Sequence, residues 1–204
     1  KGLRQRGYRV FATARSVAAV ARLGDEGFES VQLDLADTRS INAALDEILA
    51  RADGRVYALF NNGAYGQPGA VEDLTRATLR EQFETNLFGT HELTTRLVSG
   101  MRRQGEGRII QNSSVLGLIA LPYRGAYNAS KFALEGLSDT LRLELRGTGI
   151  FVSLIEPGPI VSRFRANAFQ AFQRHIAVES SVHRDVYQTM LRRFMTPGPV
   201  APFT

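Results

Sequence analysis

A tyrosine and a lysine, four residues apart, are the side chains best suited to chemistry. Tyr127 and Lys131 lie in Leu121–Leu145, whose pattern predicts a helix, so the two would stand one turn apart on one face. Of 25 basic residues only Lys1 and Lys131 are lysines, and a compact ammonium differs from a guanidinium beside a titrating group. An ammonium beside Tyr127 favours the phenolate and lowers the phenol's pKa, which suits proton exchange with an alcohol oxygen. Taken alone, the pair also fits an ordinary amphipathic helix.

Strand-like and helix-like segments alternate along the chain. The predicted strands are Tyr8–Thr13, Val31–Leu33, Val56–Phe60, Arg108–Asn112 and Ile150–Ile155. The predicted helices are Val17–Leu23, Thr38–Arg51, Thr78–Arg103 and Tyr123–Arg146. This alternation predicts an α/β fold: one domain over residues 1–204, with a doubly wound, Rossmann-type parallel sheet between helices.

Small, polar or charged residues follow the predicted strands. They are Arg15, Asp34, Asn61, Ser114 and the pair Pro157-Gly158. In such sheets the ligand binds beyond the carboxyl ends of the strands, so these five positions predict one shared site.

Composition excludes several classes of function. There is no cysteine, which rules out disulfides and thiolate chemistry. The net charge of +5 is spread among acidic residues, which does not favour nucleic-acid binding. His91, His175 and His183 lack metal-ligand spacing, so we expect no metal site. No apolar run reaches a membrane span and no secretory signal is evident, so we expect a cytoplasmic protein.

Six features in order resemble the short-chain dehydrogenase/reductase family. Tyr127 and Lys131 match its Tyr-x-x-x-Lys motif, with Ser114 thirteen residues before the tyrosine. The other matches are Asn86 in Asn-Leu-Phe-Gly-Thr, Asn61-Asn62-Gly63-Ala64, Asp34, and Pro157-Gly158-Pro159-Ile160-Val161-Ser162. The resemblance runs from residue 1 to about residue 165. The stretch 125–133, GAYNASKFA, is similar to the subgroup related to 17β-hydroxysteroid dehydrogenases.

The resemblance implies an oxidoreductase that interconverts an alcohol and a ketone or aldehyde, with hydride carried by a nicotinamide cofactor. It implies that Tyr127 is the acid/base, that Ser114 holds the substrate oxygen, and that Asn86 orients a water in a proton relay. Lys131 would lower the tyrosine's pKa and grip the nicotinamide ribose. The cofactor contacts it implies are Arg15, Asp34, Leu35, Asn61, Gly63, Ala64, Tyr127, Lys131, Pro157, Gly158, Ile160 and Ser162.

Three of these positions have plainer interpretations. Asn86 is also explained by a structural hydrogen bond within a helix. Asn61–Ala64 is also explained by turn formation, and it departs from the family's order, in which Ala precedes Gly. Ser113 and Ser114 both suit a strand end, and spacing from the tyrosine favours Ser114.

The end of the first predicted strand indicates which cofactor binds. Members of the family that use NAD usually carry an acid where this chain has Ala14. Arg15, beside it, offers a two-pronged site for a 2′-phosphate. We therefore predict NADP(H), with NAD less favoured, although an arginine after a strand is also explained by simple exposure.

Residues 159–196 are predicted to form a substrate lid with helices near Ser162–His175 and Ser180–Phe194. Its aromatic residues are Phe164, Phe169, Phe172, Tyr187 and Phe194. They favour a small apolar alcohol or carbonyl substrate that is steroid-, retinoid- or lipid-like, unless they only pack the lid onto the domain. The helices Thr78–Arg103 and Tyr123–Arg146 are those through which the family commonly forms homodimers and homotetramers.

The two ends suggest a piece of a longer chain. Lys1–Gly7 is typical of the end of a helix stopped by glycine. The resemblance places the family's first strand and Gly-rich phosphate loop before residue 1, and a last strand and helix after residue 204. Two other classes remain open: a non-catalytic dinucleotide-binding sensor or scaffold, and an oligomerisation module without a ligand.

Overall fold

The computed structural model describes residues 2–160 and 162–195. Its strands are β1 (Phe11–Ala14), β2 (Glu29–Gln32), β3 (Ala58–Asn61), β4 (Gly107–Asn112) and β5 (Ile150–Ile155). Its α-helices are α1 (Gly2–Gln5), α2 (Val17–Asp25), α3 (Thr38–Arg51), α4 (Arg76–Phe83), α5 (Gly89–Gln104), α6 (Gly125–Glu144), α7 (Phe164–His175) and α8 (Arg184–Met195).

All strand pairs in the described residues are parallel, in two groups. β1 pairs with β2, with Thr13 opposite Val31. The second sheet has the order β3-β4-β5. Its register sets Ile110 of β4 between Phe60 and Ser153. Parallel strands joined by helices confirm the predicted α/β fold, and the described residues form no ladder between β1 and β3.

The main core lies between the second sheet and the helices α3, α5 and α6. Ile41 and Leu45 of α3, like Leu93, Leu97 and Met101 of α5, follow a helical spacing that points one apolar face inward. They meet Ile109 of β4, which is fully buried. This packing places the carboxyl end of β4 beside α6.

The predicted helix Thr78–Arg103 is wrong as a single element. α4 ends at Phe83, a π-helical turn spans Glu84–Phe88, and α5 follows from Gly89. Gly89 is required there, because a Cβ would lie 1.8 Å from the carbonyl oxygen of Leu35. Such π turns inside helices often mark functional positions, and this one contains Asn86.

Two helices after residue 160 are confirmed, with later starts than predicted, at Phe164 and Arg184. They pack on the loop after β3 through a second apolar cluster of Ala70, Phe172, Ile176 and Tyr187. The buried Tyr187 hydroxyl donates to a carboxylate oxygen of Asp73 and accepts from the Ala70 amide at 2.7 Å. Val161 and the stretch 196–204, which include parts of the predicted lid and the Pro-rich end, lie outside the described residues, as does Lys1.

Among the helices of residues 2–160 and 162–195, none is long and apolar enough to cross a membrane. The same residues contain no group of three or more His, Asp or Glu able to hold a metal ion. His175 and His183 instead lie within ion-pair distance of Glu81 and Glu72, at 3.1 and 2.6 Å.

Candidate active site

Tyr127 and Lys131 lie in the first turns of α6 and face the carboxyl end of β4. Both are buried, with 8% and 2% of their surfaces exposed. The Lys131 ammonium lies 5.7 Å from the centroid of the Tyr127 ring. The helix therefore stacks the two side chains as their spacing predicts.

The Lys131 ammonium donates a hydrogen bond of 2.7 Å to the carbonyl oxygen of Asn112, the last residue of β4. Burial lowers the pKa of Lys131 to about 8, and the negative charge of Glu135 partly opposes that shift. At neutral pH the lysine is therefore still mostly charged, but it titrates within the physiological range.

The expected lowering of the Tyr127 pKa is wrong for this structure. Burial raises the pKa of Tyr127 above its usual value, and a hydrogen bond with Ser114 offsets only part of that rise. The ammonium of Lys131 points towards Asn112 and lies beside the ring rather than at the hydroxyl. Desolvation of the phenolate therefore dominates, and Tyr127 is a neutral proton donor.

Ser114 begins the short 3₁₀ helix Val115–Gly117 and accepts a 3.1 Å hydrogen bond from the Leu116 amide. Its hydroxyl also interacts with Tyr127. Ser114 therefore acts on the Tyr127 phenol from the end of β4. This geometry favours Ser114 over Ser113 for the predicted contact with the substrate oxygen.

The Asn86 side chain is fully engaged inside the fold. Its amide nitrogen donates to the Tyr65 carbonyl at 2.9 Å and to the Ser130 hydroxyl at 3.1 Å. Its amide oxygen accepts from the Tyr65 amide at 3.1 Å. Ser130 in turn donates to the carbonyl of Tyr127 at 2.8 Å. Asn86 therefore ties the loop after β3 to α6.

The segments after β2 and β3 meet at the same edge. The Asp34 carboxylate accepts from the Ala36 amide at 3.0 Å, which fixes the turn after β2. A Cβ at Gly63 would lie 2.6 Å from Leu35, so glycine allows the two segments to touch. Ala64 is half-buried beside Gly63, and the Arg15 side chain after β1 is exposed.

The side chain of Asn61, which is predicted to contact the cofactor, is engaged within the core. Its amide nitrogen donates to the Thr94 hydroxyl at 2.9 Å and to the Gln111 side chain at 3.0 Å. Asn61 is buried, so these bonds satisfy polar groups within the core. Only its backbone remains for a ligand.

The segment after β5 closes the opposite side of the site. The Pro157 carbonyl accepts from the Val115 amide at 3.3 Å, next to Ser114. Gly158 and Ile160 are exposed, and the Ser162 hydroxyl accepts from the Phe164 amide at 3.3 Å. The bond to Pro157 therefore brings the segment after β5 next to the segment after β4.

Three contacts escaped prediction. The Asn112 carbonyl is backbone and leaves no trace in the sequence, whereas Ser130 stands three residues after Tyr127, a spacing that could have indicated a side-chain-to-backbone bond. The Phe164 ring meets the Tyr127 ring edge to face, with centroids 5.3 Å apart. A lid aromatic therefore covers the tyrosine directly.

These residues fit a dinucleotide. The buried Lys131 ammonium bonds to the last residue of β4, the uncrowded Gly158 follows β5, and the exposed Arg15 guanidinium follows β1. Lys131, Tyr127 and the segments after β2, β3 and β5 would hold the nicotinamide half and the adenosine. Such a cofactor supplies the hydride when bound.

A family model described as short chain dehydrogenase matches residues 1–173, and the chain belongs to that family. The predicted family membership is confirmed. The match covers every residue of the candidate site.

Relatives of known name agree. The chain is 48% identical over 168 residues to the uncharacterized oxidoreductase YbbO of Escherichia coli (strain K12), covering 82% of the chain and 62% of YbbO. It is 31% identical over 205 residues to human 17-beta-hydroxysteroid dehydrogenase type 1, covering 89% and 62% respectively. The chain thus spans about three fifths of each relative's length.

A solved structure shows the same fold. A short chain dehydrogenase/reductase of Burkholderia phymatum, in complex with NAD, superposes with a TM-score of 0.79 at 25% identity, covering 95% of this chain and 72% of that one. The architecture described above is therefore that of the family.

Proposed function

We propose that the whole protein reduces an apolar ketone or aldehyde to an alcohol with NADPH. The observation that carries the proposal is the neutral, buried Tyr127 phenol beside the Ser114 hydroxyl and the Lys131 ammonium. A phenol with a raised pKa is a proton donor, and reduction of a carbonyl consumes a proton at oxygen. A dinucleotide sensor catalyses no reaction, so it would not need a proton donor at this position.

In this mechanism Ser114 donates a hydrogen bond to the substrate carbonyl and fixes its position. Tyr127 donates its proton to the same oxygen as negative charge develops there. Lys131, whose ammonium is held by the Asn112 carbonyl, would grip the nicotinamide ribose beside the tyrosine. Asn86 and Ser130 hold the first turn of α6 against the loop after β3, so that the tyrosine keeps its place.

The lid supports an apolar substrate. Phe164 stacks on Tyr127 and also lies against Gly66, where a Cβ would approach the Phe164 ring to 2.8 Å. A substrate that reaches Tyr127 therefore passes an aromatic edge, which favours steroid-, retinoid- or lipid-like carbonyls. Phe172 and Tyr187 are fully buried and pack the lid onto the domain, as the alternative interpretation has it.

Assembly and location extend the same proposal. Exposed apolar side chains occur on the π turn and along α6: Phe88, Phe132, Leu137 and Leu143. A homodimer or homotetramer through α5 and α6 would cover them, as the family's usual contacts do. We place the protein in the cytoplasm, where NADPH is available.

Arg15 is the proposed determinant of cofactor choice, since its exposed guanidinium follows β1 and precedes the N-terminus of α2. Arg15→Asp in the whole protein should lower kcat/KM with NADPH at least about 10-fold and raise it with NADH, because a carboxylate repels a 2′-phosphate and accepts a ribose hydroxyl. The measurement is cofactor oxidation with a panel of apolar ketones.

Arg39→Asp, at an exposed position in α3, is the matched control and should leave the ratio of the two cofactors unchanged. Turnover of no ketone by the wild type would contradict the proposed reaction. A ratio that Arg15→Asp leaves unchanged would contradict the role of Arg15 alone.

A further inference from the structure

The face of α6 that carries Tyr127 and Lys131 continues to a carboxylate. Glu135 follows Lys131 by four residues, so the three side chains lie along one stripe of the helix. One oxygen of Glu135, Oε1, is buried and has no hydrogen-bond partner among the described residues. Within the same residues, no ion pair closer than 4 Å joins Glu135 to Lys131.

A second buried group without a partner faces the same place. Ser113 is only 2% exposed, and its hydroxyl makes no hydrogen bond within the described part of the chain. The two atoms meet at Gly117: a Cβ there would lie 2.9 Å from Ser113 Oγ and 3.0 Å from Glu135 Oε1. No hydrogen bond joins the two atoms in this structure, but they face one point, and the Ser113 hydroxyl is a donor that the Glu135 carboxylate can use.

The chain links this pair to the hydrogen-bond acceptor of the lysine. Ser113 follows Asn112, whose carbonyl receives the Lys131 ammonium at 2.7 Å. A carbonyl dipole alone compensates a buried ammonium poorly, and such groups need a counter-charge. The one acid whose charge acts on Lys131 is Glu135.

Other charged groups near α6 do not compete for this role. The elements packed on α6 are α4, the π turn, the 3₁₀ helix after Ser114 and β5. Their charged side chains are Arg76, Arg80, Glu81 and Glu84. Glu81 is paired with Arg174 at 2.5 Å, and Arg76, Arg80 and Glu84 are exposed, so solvent screens them.

We propose that Glu135, supported by Ser113, is a positioning residue for the reaction: its carboxylate keeps the buried Lys131 ammonium charged where Tyr127 needs it. The proposal rests on the proposed reductase function for its catalytic meaning. The electrostatic relation between the two side chains is a property of the fold and can be tested without turnover.

The test follows the lysine itself. In the whole protein, lysine labelled with ¹³C at Cε is titrated by NMR, and residues 1–204 contribute only the signals of Lys1 and Lys131. Lys131→Met assigns the buried one. The midpoint should lie near 8 in the wild type and roughly one pH unit lower in Glu135→Gln, because a neutral amide no longer favours the ammonium.

Three matched variants sharpen the result. Glu144→Gln, exposed on the same helix, should leave the midpoint in place, and Glu135→Asp should restore most of it because the charge returns. Ser113→Ala should shift it in the same direction as Glu135→Gln, by less. Equal midpoints in the wild type and Glu135→Gln would overturn the proposal.

Activity gives the second readout. The pH above which carbonyl reduction declines should fall by the same amount in Glu135→Gln, with wild-type rates regained below pH 6. A shifted NMR midpoint without any reductase activity in the wild type would refute the proposed function and leave the electrostatic role standing. Reductase activity in the wild type, with the same NMR midpoint and the same pH profile in Glu135→Gln, would refute the electrostatic role and leave the proposed function standing.

Discussion

At the scale of single residues, burial acts in opposite directions on the two central side chains. It raises the pKa of Tyr127 and lowers that of Lys131 to about 8. Both shifts favour the neutral form, since each charged form loses hydration in the fold. The site therefore holds a proton on the tyrosine and holds the lysine's charge at a cost to stability.

We therefore expect Lys131 to lower the stability of the fold while it serves the reaction. Because its pKa is lowered in the folded protein, the unfolded state binds more protons, so the destabilisation is present below pH 8 and fades as the pH rises to about 10.5. Lys131→Met should raise the free energy of unfolding at pH 7 by about 1–2 kcal/mol, after the lost bond to Asn112 is counted. Denaturant titration measures it.

The same variant should lose reductase activity. The stabilisation should shrink to a small remainder near pH 10.5, where the wild-type lysine is neutral in the folded protein and half protonated in the unfolded chain. A Lys131→Met protein less stable than the wild type at pH 7 would show that the ammonium is satisfied by its surroundings rather than strained by them.

At the scale of elements, the lid helices are tied to the loop after β3 by one buried phenol. Tyr187 of α8 is fully buried, and burial together with the Asp73 carboxylate raises its pKa to about 12. Ser181 donates to the same carboxylate at 2.6 Å. The loop so held also bonds to the start of α6, through the Gly69 amide and the Tyr123 carbonyl at 3.0 Å.

Removal of that hydroxyl should loosen the lid. Tyr187→Phe leaves the Ala70 amide without an acceptor and should cost about 1–3 kcal/mol in the free energy of unfolding. Amides of residues 69–74 should exchange faster with solvent. Tyr8→Phe, at a tyrosine that is 52% exposed, is the control and should change neither measurement. Equal stability of Tyr187→Phe and the wild type would show that the Tyr187 hydroxyl does not hold the lid helices to the loop after β3.

The positions of helices and strands were predicted from the sequence better than the interruptions within them. The spacing of Ile41 and Leu45 predicted α3 with the bounds observed, because an amphipathic period is local information. The π turn at Asn86 was not predictable, since it depends on hydrogen bonds to Tyr65 in a distant loop. Strand β1 begins at Phe11 rather than Tyr8 because pairing with β2 starts there.

At the scale of the whole molecule, the site is an assembly of strand ends that only the fold brings together. Asp34 follows β2 of one sheet, Gly63 and Ser114 follow β3 and β4 of the other, and the close approach of Gly63 to Leu35 brings the two sheets' strand ends together. Their order along the chain predicted this. The direction of the Tyr127 pKa shift did not follow from sequence, because it depends on how deeply α6 and the lid bury the ring.

The second sheet has one exposed face and one buried face. One face of β3-β4-β5 exposes Tyr57 and Phe151, with the Arg108 guanidinium lying over the Phe151 ring at 4.3 Å. On the opposite face, Ile109 and Val152 are buried in the main core.

The central claim is that Tyr127 delivers the proton in carbonyl reduction. Tyr127→Phe removes one oxygen and keeps the ring that packs on Phe164, so the fold and NADPH binding should persist, as followed by unfolding and cofactor fluorescence titration. Turnover with a ketone that the wild type reduces should fall by about 10²–10⁴-fold. Turnover within a few-fold of the wild type, with cofactor still bound, would contradict the account.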